Sequence, residues 1–527
     1  MERTTGEYLR RNTRFSVLAY LVNQVARFLL IPIIIAYIDL DGFAIVRLGF
    51  VFFGYLAIAN FGVNMAYLKY TAECHRSADY ERLSRLLSTG VTLTFLLGLV
   101  LVGAAFWWSD AIAWFLKEDP VYFADVRFVV RVIPVVAMLS LVGGVSRAVL
   151  SGLQRLDIVN TCTIAFSLLR VVVVAALLYA GFGLRSVVIV YGVATVGPLL
   201  PMVYFVYRLL PQVHIRLFHM SRDALCPLFS LGGRMQVLGV LGLLVSTLDT
   251  VVVFKYMPPT LAGAYMVARQ LAQRVQSLPM QGFGALIPAS ADLSARADHA
   301  KSRAVFTAAS RITAVSTVFF FAFLFVNSDV FLLGYLGAGS YDECAGFMLM
   351  AFCVPVFLHT LTGPGSSMLR GAGKPGREIV YQVLGVGLFL GLFASGLTWG
   401  TAIDATWLPL LAQPAALGTA SLVFIVLANR FFQERATQPL GEVAWPMLAA
   451  VAGAWGIRLV CASVFAVADE NRIGLIALVG GMGVLYTGLF ALAAWFLPGL
   501  TYRDKEQLVK FLPIGERIKE RLLRDGA

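Results

Sequence analysis

The sequence predicts an all-α integral membrane protein of about fourteen transmembrane helices, built as two parallel six-helix lobes with two extra C-terminal helices. Three observations carry that prediction. Of the 527 residues, 59% are hydrophobic and 14% charged, whereas soluble domains hold about 45–50% apolar residues. The apolar runs reach the roughly 20 residues needed to cross a bilayer and are continuous, without the period-two alternation of barrel strands. The chain also resembles itself at an offset of about 220 residues.

The predicted spans are 14–38, 42–68, 87–114, 126–150, 158–181 and 184–208 in an N-lobe covering 1–210. A C-lobe over 211–430 holds 226–254, 260–289, 304–327, 344–369, 378–400 and 407–429. Spans 443–467 and 473–497 fill 431–500, and 501–527 forms a tail. Arg10, Arg11 and Arg14 precede the first apolar run, which ends without a small-residue cleavage site, so it is expected to be retained as a span. Pro32, Pro134, Pro198, Pro201, Pro279, Pro355 and Pro364 fall inside spans, where they act as hinges or as static kinks.

Orientation follows from charge. Connections on the N-terminal side hold about 28 of the 42 Lys and Arg, and the opposite connections about five, so both termini are expected to be cytoplasmic. The connections on the far side are short and acidic, leaving no room for an external domain. In the tail, Leu508, Phe511, Leu512, Ile514, Ile518 and Leu522 interleave with basic residues from Arg503 to Arg521. Such a segment lies on anionic headgroups or stays solvated.

The repeat is visible residue by residue. Leu150, Gly152 and Arg155 recur as Leu369, Gly371 and Lys374; Ser84-Arg85 recurs as Ser302-Arg303; Gly42 and Pro134 recur as Gly263 and Pro355. A period of six spans is even, so the halves enter from the same side and are parallel, as in carriers whose lobes rock about a central site.

Nine arginines fall inside spans: Arg27, Arg47, Arg131, Arg170, Arg234, Arg269, Arg274, Arg311 and Arg458, with Asp249 as the carboxylate among them. An arginine at bilayer depth costs at least roughly 2.5 kcal/mol and normally faces a bundle interior or aqueous cavity. Asn23, Gln24 and Arg27 lie on one face of span 1 with Tyr20, and span 2 adds Arg47, Asn60 and Asn64. In the second lobe, Arg269, Gln270, Gln273 and Arg274 form a stripe on span 8, while span 7 contributes Arg234, Gln236 and Asp249. Repeat-equivalent stripes are expected to meet, which makes Arg27, Arg47, Arg234, Arg269, Arg274, Asn23, Gln24, Asn64 and Gln273 candidate substrate ligands. Guanidinium groups stay charged and present a donor fork matched to phosphate. Arg131 and Arg147 are expected to extend to headgroups instead, and Arg170, Arg311 and Arg458 either join the cavity or pair with helix carbonyls. Asp249 is the candidate for coupling to a proton or sodium ion, with a structural pair to Arg269 as the plainer reading.

Other functions are disfavoured. The net charge of +12 comes without an aromatic-interleaved basic domain, so nucleic acid is not an expected partner. The six cysteines and five histidines show no metal or redox spacing, and Gly371-Ala372-Gly373-Lys374 lacks the phosphate-loop pattern. No cofactor, metal or catalytic residue is expected.

The six-plus-six-plus-two pattern, Gly42 opening span 2, and the turn LSGLQRLDIVN echoed by LRGAGKPGREIV resemble the polysaccharide-exporter (Wzx-type lipid-linked oligosaccharide flippase) family of the MATE/MOP superfamily. The resemblance implies a MATE-like fold in the bacterial inner membrane and an undecaprenyl-pyrophosphate-linked glycan as cargo, delivered for O-antigen, capsule or exopolysaccharide assembly. It also implies glycosyltransferases and a polysaccharide polymerase as functional partners, and membrane lipids around the carrier. One rival is a multidrug exporter of the same fold. Those exporters generally carry a carboxylate in the first helix, and here no acid precedes Asp39 within span 1. A membrane glycosyltransferase or polymerase is the other rival, disfavoured by the short external connections.

Overall fold

The computed structural model describes residues 5–58, 63–117, 119–283, 286–374, 376–402, 405, 407–435, 441, 444–468, 474 and 478–488. Its regular elements are all helical among these residues. Ten helices among them are long and apolar enough to cross a membrane, and Ala444–Val460 and Leu478–Gly488 are shorter apolar helices. The chain is therefore a multi-pass membrane protein. The expected amphipathic tail and Asn60 lie outside the described residues, as do the side chains of Arg234 and Gln236.

The first of the ten, Leu18–Leu56, holds most of the first predicted span and the first part of the second, which was expected to run to residue 68, where the separate helix Val63–Ser77 has already begun. It belongs to a helical segment, Thr5–Ala57, that turns at Asp39, whose backbone has φ 57° and ψ −179°. A left-handed φ at a non-glycine residue is held only where the surroundings fix it. Beside it, Asp41 accepts from Tyr122 Oη at 2.5 Å and from Thr260 Oγ1 at 2.9 Å. Lys117 donates to the Met257 carbonyl at 2.8 Å, satisfying the C-terminal end of helix Arg222–Tyr256. Burial pushes the Lys117 ammonium below its usual pKa, against the pull of Asp119 and Asp41.

The chain forms two compact units, 1–263 and 264–527. In the first, Thr5–Ala57 packs along Leu156–Tyr179, and Pro120–Gly152 packs against Tyr80–Trp107 and Val63–Ser77. Tyr67, Leu83, Leu87, Val149, Leu150 and Met202 form its buried core. In the second, Glu343–Gly371 contacts His299–Val326, Leu286–Ala295 and Ala412–Phe431 around Phe306, Met368, Leu369 and Phe424.

The internal repeat is present in backbone detail. Leu150 O accepts from Arg155 N at 2.8 Å, and Leu369 O accepts from Lys374 N at 2.9 Å. The residue completing each turn has positive φ: Gln154 at 58° and Gly373 at 71°. Two further turns match, with Ala78 at 55° and Ala297 at 53°. The aspartates that follow cap the next helices, Asp79 accepting from Arg82 N and Asp298 from Lys301 N, each at 3.0 Å. The repeated glycines have one job. A Cβ on Gly152 would lie 2.8 Å from Leu68 O, and one on Gly371 would lie 2.3 Å from Ile287 O.

Arg131, expected to extend to headgroups, donates from Nε to Ser109 Oγ at 2.9 Å and lies 3.7 Å from Asp110. The short helix Ser109–Leu116 brings those partners to it. Arg458 pairs with Asp329 and donates to the Val326 carbonyl, one of the two roles expected of it. In the second unit Glu434 accepts from Arg303 Nε at 2.8 Å and Thr307 Oγ1 at 2.6 Å, and the Arg303 hydrogen bond holds its carboxyl below the usual range.

Gly152→Val or Gly371→Val is expected to cost about 1–3 kcal/mol through overpacking against backbone, lowering the apparent Tm in a thermal-shift measurement. Gly103→Ala, inside helix Tyr80–Trp107 with nothing within 4 Å of the new atom, should not lower Tm and should raise it slightly. Because the folded-state pKa of Glu434 is depressed, its stabilisation is present above the unfolded carboxylate pKa and is lost as pH falls through the folded value. Glu434→Gln should therefore lower Tm at pH 7, and the difference from wild type should shrink as the buffer is acidified.

Candidate anion site

In the first unit two helices bring a pair of arginines together. Asn23 anchors the contact: its Oδ1 accepts from Ser167 Oγ at 2.5 Å, while its Nδ2 donates to Ala19 O at 2.9 Å. Arg27 lies one turn beyond Asn23, and Arg170 one turn beyond Ser167, so the layer after the Asn–Ser bond holds both guanidinium groups. Their charges act on one another. Gln24 donates to Tyr20 Oη at 3.0 Å and completes the polar face of this helix.

Arg170 is 9% exposed near the middle of helix Leu156–Tyr179. Its guanidinium carbon lies 4.8 Å from the centroid of Tyr191, which is itself held edge-on by Phe50 at 4.5 Å. Nε and Nη2 of Arg170 are buried with no hydrogen-bond partner among the described residues. Stacking on an aromatic ring is worth about 2 kcal/mol when desolvated. Each orphaned buried N–H costs about 1–3 kcal/mol, more on a charged group, so the ring alone does not offset the burial. Arg27 is exposed. The arrangement is suited to an anion, which supplies acceptors and charge together.

The other sequence-predicted residues of this unit are more dispersed. Arg47 is half-buried on the second half of the broken helix, and Asp249 is 1% exposed on Arg222–Tyr256. Asn64 is half-buried, with its Oδ1 buried and unpartnered among the described residues.

In the second unit Arg269 is 5% exposed and Gln270 8%, with Gln273 and Arg274 half-buried beside them on Pro259–Phe283. The charge of Arg269 reaches His359, which also feels Glu378. His359 Nδ1 and Ser421 Oγ are 3.5 Å apart. Glu378, 1% exposed, accepts from Arg370 Nε at 2.7 Å and again from Arg370 Nη2, and from Gln382 Nε2 at 3.3 Å. Sequence reasoning left Arg170 open between the cavity and pairing with helix carbonyls, and gave no role to Tyr191, His359 or Glu378. An ionisable residue inside an apolar helix was the available signal for Arg170 and His359. Among the described residues no group of three or more His, Cys, Asp and Glu side chains gathers to hold a metal.

Known proteins place this geometry in a family. The family model described as polysaccharide biosynthesis protein matches residues 9–294, more than half of the chain. No curated protein sequence matches significantly. Among solved structures, the lipid II flippase MurJ in an inward closed conformation is 12% identical, with a TM-score of 0.65 over 92% of this chain and 99% of its own. A multidrug resistance MATE family transporter of the MOP superfamily in an inward-facing conformation is 17% identical, with a TM-score of 0.62 over 79% of this chain and 94% of its own. A MOP superfamily transporter from Pyrococcus furiosus, described by the reverse polarity of its binding pocket, is 15% identical with a TM-score of 0.54, covering 80% of this chain and 93% of its own. The fold is thus that of MOP-superfamily flippases and transporters, and the chain belongs to the polysaccharide biosynthesis protein family.

Proposed function

We propose that this protein is a flippase that carries a polyprenyl-pyrophosphate-linked oligosaccharide across the bacterial inner membrane by alternating access of two lobes. The observation that supports it best is the Arg27–Arg170 pair. Two guanidinium groups at span depth, one of them buried with two donors open, favour an anionic cargo over a cationic drug. A pyrophosphate has the charge and the oxygen count to engage both. Asn23, Gln24 and Asn64 in the first unit and Gln273 in the second are amides of the kind that bind sugar hydroxyls, and Arg47, Arg234, Arg269 and Arg274 supply further positive charge.

Both termini lie in the cytoplasm on this reading, as the Lys and Arg bias indicates. Glycosyltransferases on that side build the glycan, and a polymerase outside consumes it. The family assignment supports the pathway class. Asp249, buried at span depth, is the proposed point of coupling to a proton or sodium gradient.

In proteoliposomes, Arg27→Ala and Arg170→Ala should each reduce flipping of an undecaprenyl-pyrophosphate-linked sugar at least tenfold, while Arg170→Lys retains part of it. Wild-type rates in both alanine variants would overturn the cationic-site mechanism. Asp249→Asn should flip at a rate that no longer responds to an imposed proton or sodium gradient; an undiminished response would remove the coupling role.

A further inference from the structure

A second polar recess lies elsewhere in the first unit. It is a cleft of about 300 Å³ between helix Pro120–Gly152 and the helix Val63–Ser77. Its floor is apolar, with Phe53, Leu141 and Leu199, and its polar lining is Asn64, Ser140, Arg147 and Ser151. Gly144 makes the room. A Cβ there would stand 3.6 Å from the Asn64 amide, so the amide and the guanidinium one turn further along the same helix border one space. Neighbouring Gly143 has the opposite role: a Cβ on it would lie 2.6 Å from Leu199 Cδ1.

Ser151 Oγ is spent on the Arg147 carbonyl at 2.8 Å, but two other polar groups of this cleft are not paired among the described residues. The Arg147 side chain is exposed, and no carboxylate pairs with it among the described residues. The Asn64 Oδ1 is buried and lacks a hydrogen-bond partner among them. The two ask for different things of one ligand. A guanidinium takes phosphate oxygens, and an amide oxygen takes a hydroxyl or N–H donor. The apolar floor suits a hydrocarbon stem. The cleft lies toward the end of the unit where Lys69, Arg76, Arg82 and Arg85 cluster, the side that charge bias assigns to the cytoplasm.

We infer that this cleft is a docking site for the phosphate-bearing headgroup of an amphiphilic lipid, separate from the Arg27–Arg170 pair. Arg147 binds phosphate, Asn64 accepts from a hydroxyl next to it, and Phe53, Leu141 and Leu199 cover the first part of the lipid chain. Its role as a loading site for cargo on the cytoplasmic side rests on the flippase reading; its capacity to bind such a headgroup does not.

The test is photocrosslinking from benzoylphenylalanine placed at Leu68, which also lines the cleft, in the full-length protein held in phosphatidylcholine nanodiscs. With undecaprenyl pyrophosphate added, a lipid adduct is expected, falling about tenfold in Arg147→Gln and in Gly144→Leu, which fills the cleft, and partly recovered in Arg147→Lys. Inorganic pyrophosphate that suppresses the adduct supports recognition of the headgroup itself. Phosphatidylglycerol that labels equally well, with the same dependence on Arg147, supports the phosphate site and assigns it to bulk anionic lipid. No adduct, or one undiminished in Arg147→Gln and Gly144→Leu, overturns the inference. The Arg27→Ala/Arg170→Ala double variant separates the two sites: it should lose flipping and keep the adduct. Labelling at the cleft together with normal flipping in that variant would instead defeat the Arg27–Arg170 site as the cargo site and leave both the flippase reading and the cleft intact.

Discussion

The first unit is organised around the difficulty of keeping a guanidinium away from both water and carboxylate. A buried cation in a membrane helix is tolerated when something nearby carries negative charge or accepts its hydrogen bonds. Arg170 lies 4.8 Å from the centre of a tyrosine ring and feels the charge of a second arginine. The Asn23–Ser167 bond one layer away pins the two helices so that neither arginine can retreat by sliding. On the proposed flippase reading, what would be a packing fault in a static protein becomes a resource, because such a site would hold binding energy for an anionic cargo ready without prior reorganisation.

The second unit handles charge differently. Its Glu378–Arg370 pair is bidentate and backed by Gln382, so most of the local charge is already compensated within the protein. The charge of Arg269 acts on His359, which also feels Glu378. Two units with the same turns and caps thus carry different electrostatic interiors. The backbone repeat sets where helices start and stop, while residue identities inside them have diverged: Gln154 and Gly373 fill one turn position with different side chains at similar positive φ.

The helical class was legible from apolar run length and the repeat from Gly152 and Gly371, because close backbone approach restricts a position to glycine and leaves a trace in sequence; against fourteen expected spans, ten helices among the described residues are long and apolar enough to cross a membrane. The break between the first two spans was legible as well: Asp39, Asp41 and Gly42 look like loop residues, and the helix breaks at Asp39. What the sequence did not reveal is that Asp41 is held there by bonds from Tyr122 and Thr260, which are remote in sequence. The site was partly legible. Arg27 and Asn23 stood out by spacing on one helix, whereas the meaning of Arg170 depends on Tyr191 from the next helix and Ser167 facing back to Asn23. Arg147 could not be separated from a headgroup-seeking arginine without the cleft that Gly144 opens.

The stacking of Arg170 on Tyr191 also bears on how the chain enters the membrane during synthesis. Helix Leu156–Tyr179 emerges from the ribosome with a charge at its centre, and the ring that shields it arrives only with helix Leu184–Val196. Partitioned alone, the earlier helix leaves a bare guanidinium among acyl chains. A central arginine costs roughly 2.5–3.5 kcal/mol on insertion scales, so entry of the two helices as a hairpin, with the tyrosine already against the guanidinium, is favoured over entry one helix at a time.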